Sequence, residues 1–145
     1  MLPYSKELRL LILMKGFQMH KRILIIDDDM GFIQFVKRHL ETDKYHVESA
    51  ESMNEGIKKA KSFSPNIILL DIINPGKDKK FKEIKDFRNN ESLKHIPIVL
   101  ATDIRKEFNL PFGLEPDENY LPVNAVLEKP VQPDILISAI ENIVK

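Results

Sequence analysis

From residue 20 onward the chain alternates short β-branched runs with longer amphipathic stretches, and this alternation limits the available folds more than any other feature. The run at 22–26 (RILII) is bounded by acids, as a buried strand is expected to be. Residues 30–42 then put Phe32, Ile33, Val36 and Leu40 on one helical face. Residues 46–50 (HVESA) read as a second strand. Ser52 and Glu55 have the spacing of a capping box and open a helix with Ile57, Ala60 and Phe63 inward. Pro65 stops that helix, and NIILLD (66–71) is a third strand. A helix over 81–90 turns Phe81, Ile84 and Phe87 to the core. IPIVLAT (96–102) is a fourth strand and AVLEK (125–129) a shorter fifth. Pro133 suits a first helical turn, after which Leu136, Ala139, Ile140 and Ile143 face inward. Strand and helix in strict alternation predict an α/β fold, doubly wound, with a parallel sheet covered by helices on both faces.

The 145 residues suit a single domain, and a 43% hydrophobic content is enough for one buried core. Residues 1–20 stand outside the alternation as an N-terminal extension, leaving 21–145 as the domain. The extension has a short apolar core, Leu8 to Met14, without a small-residue cleavage site, so a signal peptide is not expected. Met19 offers a second start, which would make the first 18 residues an upstream extension; the competing reading is an N-terminal helix. Basic and acidic residues balance at 22 each, which gives no global pull toward nucleic acid or an anionic membrane. No apolar run approaches the ~20 residues that cross a bilayer. The chain has no cysteine, which excludes disulfides and thiolate zinc sites, and its four histidines are scattered.

In a parallel sheet every strand ends along the same edge, and ligands bind there. Asp27 and Asp28 end strand one, Asp71 strand three, Thr102 strand four and Lys129 strand five. One edge therefore collects three carboxylates, a hydroxyl and an ammonium. Carboxylates ~5 Å apart repel by roughly 3 kcal/mol per pair at an effective dielectric near 20. A hard divalent cation with oxygen ligands removes that penalty, and Mg²⁺ is the usual choice.

The blocks ILIIDDD, PNIILLDIINPG, IPIVLAT and LEKP resemble, in this order, the signature blocks of the response-regulator receiver domain, from about residue 21 to the chain end. The resemblance implies a five-stranded flavodoxin-like sheet of order 2-1-3-4-5, an order that flavodoxin shares with the chemotaxis receiver. It makes Asp71 the acceptor of a phosphoryl group from a phosphohistidine. It makes Asp27 and Asp28 the acidic pair that holds Mg²⁺ together with Asp71, and Ile73 the donor of a backbone carbonyl. Thr102 becomes the switch hydroxyl and Lys129 the cation facing the phosphoryl oxygens. Implied partners are a sensor histidine kinase or phosphotransfer protein and an unknown downstream protein, with no nucleic acid or membrane. A cytoplasmic, stand-alone receiver is expected, catalysing only its own phosphorylation and dephosphorylation.

Two other functions compete. IIDDDM also satisfies the D-x-D of haloacid-dehalogenase-type phosphohydrolases, with Asp27 as nucleophile and Asp29 as acid, although nothing after Lys129 supplies their late acidic pair. A degenerate receiver serving as an interaction module is the other. Asp29 has a structural reading too, as the cap of the first helix. The sequence departs from the family pattern in several places. Asp103 stands where a small residue is usual, and Val126 replaces the aromatic switch residue. Lys79 or Lys80 lies where glycine commonly follows the proline turn. Pro111, Pro116 and Pro122 fall where the family has its fourth helix, which predicts an ordered Pro-rich loop over 107–123 as the output surface.

Overall fold

The structure is a computed structural model and describes residues 5–11, 21–42, 44–71, 80–103, 116 and 122–144, the side chains of 80–83 excepted. Its strands are β1 (Lys21–Ile26), β2 (Tyr45–Ala50), β3 (Ile67–Leu70), β4 (Ile98–Thr102) and β5 (Ala125–Glu128). The helices are α1 (Met30–Leu40), α2 (Met53–Phe63), α3 (Lys80–Arg88) and α4 (Pro133–Ile143). All strand pairs are parallel, in the order β2-β1-β3-β4-β5. That is the expected doubly wound sheet. The Pro-rich stretch lies outside the described residues apart from Pro116, Pro122 and Val123, and so does Ile73. Residues 6–11 are helical, with Leu8, Leu10 and Leu11 exposed.

Alternate residues of each strand face opposite sides, so the continuous apolar runs feed two cores. Leu24, Ile26, Ile68, Leu70, Ile98 and Leu100 pack with Ala60 of α2 and with Ile84 and Phe87 of α3. Ile23, Ile25, Ile67, Leu69, Val99 and Ala101 pack on the other side with Phe32, Ile33, Val36 and Leu40 of α1 and with Leu136 and Ile140 of α4. Val126 is partly buried against the first of these cores.

The helices begin where the sequence says they should. Asp29 caps α1, its Oδ1 accepting the Phe32 N–H at 3.2 Å. Ser52 caps α2 by accepting the Glu55 N–H at 3.1 Å. The Glu55 carboxylate reaches back to the Glu51 N–H, one residue before the cap. Gly56 is buried in α2, and a β-carbon there would stand 2.4 Å from Ile26 Cδ1. The helix thus approaches β1 more closely than any other residue allows.

Arg88, at the end of α3, ties the far side of the sheet together. Its guanidinium donates to the carbonyls of Pro122 (2.8 Å), Lys94 (3.2 Å) and Ile96 (2.5 Å) and to Asn124 Oδ1 (2.9 Å). Asn124 Oδ1 also accepts the Ile98 N–H at 2.9 Å, so one cluster fixes the approaches to both β4 and β5.

Candidate functional site

Sheet register determines which strand ends become neighbours. Ile26 pairs with Leu70, Leu70 with Leu100, and Leu100 with Val126. Asp27 and Asp71 are the next residues on β1 and β3, and therefore emerge at the same level. Backbone bonds continue past both strands: the Asp27 N–H donates to Ala50 O at 3.0 Å and the Asp71 N–H to Ile26 O at 2.9 Å. Thr102 is the last residue of β4 and its carbonyl accepts the Lys129 N–H at 3.0 Å, which brings the end of β5 alongside.

At this edge Lys129 Nζ donates to Asp27 Oδ2 at 2.8 Å and to Asp71 Oδ2 at 3.1 Å. The ammonium also lies 4.3 Å from the centroid of the Phe32 ring. Phe32 stacks on Phe35 along α1, centroids 5.9 Å apart. The peptide bond from Lys129 to Pro130 is cis. Asp27 has no exposed surface, Asp71 is 7% exposed, and Asp28 is open to solvent. Among the described residues, Asp27, Asp28 and Asp71 each bring one carboxylate oxygen to within 4.8 Å of the others. Thr102, the last residue of β4, is fully buried. A cavity of about 580 Å³ opens over the cluster, and Asp28, Asp71, Asp103, Lys129, Phe32 and Phe35 are among the residues that line it.

Electrostatics follow from burial and pairing. Desolvation raises the Asp27 carboxyl above its ordinary value, and the nearby Asp71 charge acts in the same sense. Hydrogen bonds from Lys129 and from the Asp29 N–H (2.8 Å) oppose this without cancelling it. Burial alone would lower Lys129, but its hydrogen bond to Asp27 and the two carboxylate charges outweigh burial and raise it. The ammonium is therefore held charged between two acids. Three carboxylates against one ammonium leave a formal excess of two negative charges, presented by hard oxygen donors. That donor set fits Mg²⁺, which favours oxygen ligands and open, partly hydrated sites.

Asp27, Asp28, Asp71 and Lys129 come together as their positions in the sequence suggested, with Thr102 at the neighbouring strand end and Asp103 in the cavity wall. Asp29 serves as a helix cap. The ring of Phe32 is the member that periodicity missed, because an inward aromatic on α1 reads as core until its contact with Lys129 is known.

A parallel 2-1-3-4-5 sheet with an acidic cluster and a lysine at its carboxyl edge defines the class of signal-receiving α/β domains. Residues 23–141 match the response regulator receiver domain family, and the chain belongs to it. Among similar proteins, the alkaline phosphatase synthesis transcriptional regulatory protein PhoP of Bacillus subtilis is 32% identical over 97 residues, 67% of this chain and 39% of that protein. The response regulator PleD of Caulobacter vibrioides is 27% identical over 127 residues, 88% of this chain and 27% of its own length. This chain thus spans well under half of either relative. The crystal structure of a response regulator signal receiver domain from Bermanella marisrubri superposes with a TM-score of 0.68 at 26% identity, covering 87% of this chain and 99% of that one. The family membership replaces the phosphohydrolase reading. Among the described residues no helix is long and apolar enough to cross a membrane.

Proposed function

We propose that residues 21–145 form a phosphoacceptor receiver of a two-component or phosphorelay pathway, with Asp71 as the nucleophile. The observation that carries this is the Lys129 ammonium bridging Asp27 and Asp71 at one level of the sheet edge. An oxygen of Asp71 attacks the phosphorus of a phosphohistidine, the donor N–P bond breaks, and an acyl phosphate forms. The attacking and incoming groups are both anionic, so the barrier is largely electrostatic. Lys129 supplies a fixed positive charge already hydrogen-bonded to the nucleophile. Asp27, Asp28, Asp71 and the Ile73 carbonyl would hold Mg²⁺, which when bound neutralises charge between nucleophile and phosphoryl oxygens.

The new phosphoryl group adds three strong acceptor oxygens beside Thr102. The Thr102 hydroxyl donates to one of them and draws the end of β4 toward it, which is the signal. Val126 carries no ring, so the response passes through the backbone after β4 without an aromatic rotamer. The donor is a sensor histidine kinase or phosphotransfer protein, and output runs through protein–protein contact in the cytoplasm.

The test is incubation with Mg²⁺ and a small acyl phosphate, followed by intact-mass measurement. One base-labile phosphoryl group should be added, and Asp71→Asn should abolish it while the fold is kept. A folded wild-type protein that takes up no label under these conditions would refute the phosphoacceptor reading in favour of an interaction module.

A further inference from the structure

A second cleft, of about 610 Å³, lies at the opposite edge of the sheet, where the strands begin. Its walls come from three places: Arg22 on β1, the end of α2 with the turn after it, and the turn before β4. The floor is apolar, with the buried Ala60 and Ile96 joined by Pro65 and Pro97. Three basic side chains stand on the rim, Arg22, Lys61 and His95, and no carboxylate lines it. In a chain with equal numbers of acids and bases, that segregation is a local excess of positive charge.

Two features distinguish the rim from solvated surface lysines. Among the described residues, none of the three basic groups has an acidic partner, while the nearby Glu91 is paired with Lys94 at 2.9 Å and stays out of the cleft. The Arg22 side chain is also pre-positioned. Its Nε donates to Ser64 O at 2.9 Å, which restrains the guanidinium plane. The backbone of Arg22 is fixed by Asn66, through Arg22 N–H to Asn66 Oδ1 at 2.7 Å and Asn66 N–H to Arg22 O at 2.8 Å. A guanidinium whose planar fork is already oriented loses little entropy on binding an oxyanion.

We infer that this cleft binds a small phosphorylated organic molecule, its phosphate on Arg22 and Lys61 and its apolar body over Ile96 and Pro97. His95 adds a ring N–H donor at the mouth. The volume lies within the range of small-ligand sites, and an apolar floor with a few convergent polar groups is their usual construction. Because the site is at the opposite edge from Asp71, occupancy does not require the phosphoacceptor chemistry proposed above.

Nuclear magnetic resonance titration of the full chain tests this, with adenosine monophosphate, adenosine and inorganic phosphate as probes. The monophosphate should give saturable shifts at Arg22, Lys61 and His95. Inorganic phosphate should bind the same residues more weakly, and adenosine should not saturate. Arg22→Gln should weaken the monophosphate by roughly tenfold, as loss of a charge-assisted pair does. Asp71→Asn, at the other edge, should leave it unchanged. Shifts that chloride reproduces at equal ionic strength, equal affinity in Arg22→Gln, or binding lost in Asp71→Asn would each overturn the inference.

Discussion

Replacing Lys129 by Met isolates the electrostatics of the acidic edge. The substitution keeps an unbranched chain of similar length and removes the ammonium bonded to both Asp27 and Asp71. Their carboxylate oxygens lie within 4.8 Å of each other. At that separation two unit charges repel by roughly 3.5 kcal/mol at an effective dielectric of 20. The protein can escape by taking up one proton. At pH 7 that costs about 4 kcal/mol for a carboxyl of ordinary pKa 3.8, at 1.36 kcal/mol per pH unit. The two limits agree, and a loss of about 3 kcal/mol in unfolding free energy is expected at pH 7.

Urea denaturation in chelator measures it, at pH 7 and again near pH 4. The sign is fixed by linkage. Without Lys129 a folded-state carboxyl pKa rises above its unfolded value, so the deficit is largest at neutral pH and fades as pH falls toward 3.8. Lys129 itself has a raised folded pKa, so its contribution holds below 10.5 and is lost as pH rises through the folded value. Adding Asp71→Asn to the variant should restore much of the loss by removing one of the two facing charges. A difference below about 1 kcal/mol at pH 7, or one of equal size at pH 4, would refute the idea that Lys129 is the counter-charge holding this edge together.

Asp28→Ala should weaken Mg²⁺ binding sharply in calorimetric titration, yet change metal-free stability by less than about 1 kcal/mol, because Asp28 is exposed and its repulsion screened. Gly56→Ala should gain about 1 kcal/mol of helix propensity but lose about 1–3 kcal/mol to the Ile26 contact, for a net destabilisation in urea that a second change, Ile26→Val, reduces. Arg88→Met should cost about 2–4 kcal/mol, because four acceptors lose a partly buried, charged donor; hydrogen exchange should show the loosening at Ile98 and Asn124. Phe32→Leu should slow acyl-phosphate labelling by roughly threefold to tenfold with the fold retained, whereas Phe32→Tyr keeps the rate, since both Phe and Tyr offer an aromatic face to the Lys129 ammonium.

Periodicity and chain order made most of this molecule readable, because both report which face of an element is buried. The five runs ending in Asp27, Ala50, Asp71, Thr102 and Lys129 could be ranked as strands from composition, and parallel topology then forced their ends onto one edge. Matching Asp27 to Asp71 at one level needed the register Ile26↔Leu70, which no single strand encodes. Contacts between elements distant in sequence stayed hidden for the same reason. Phe32 reads as an ordinary inward position and Gly56 gives no signal of its own, yet one ring carries the ammonium that follows β5 and one missing β-carbon sets how closely α2 approaches β1. Nothing in the sequence around Arg88 points to its partners, and only the fold shows it joining the approaches to β4 and β5. These three residues act through what they meet. Ile26 connects the glycine to the acidic edge, since the side chain that Gly56 accommodates belongs to the residue immediately before Asp27. A displacement of Ile26 by one added methyl group would therefore reach that edge through a single peptide unit. Gly56→Ala should consequently perturb the Asp27 amide resonance and Mg²⁺ affinity even where global stability falls only modestly, a coupling that a purely structural glycine far from the site would not produce.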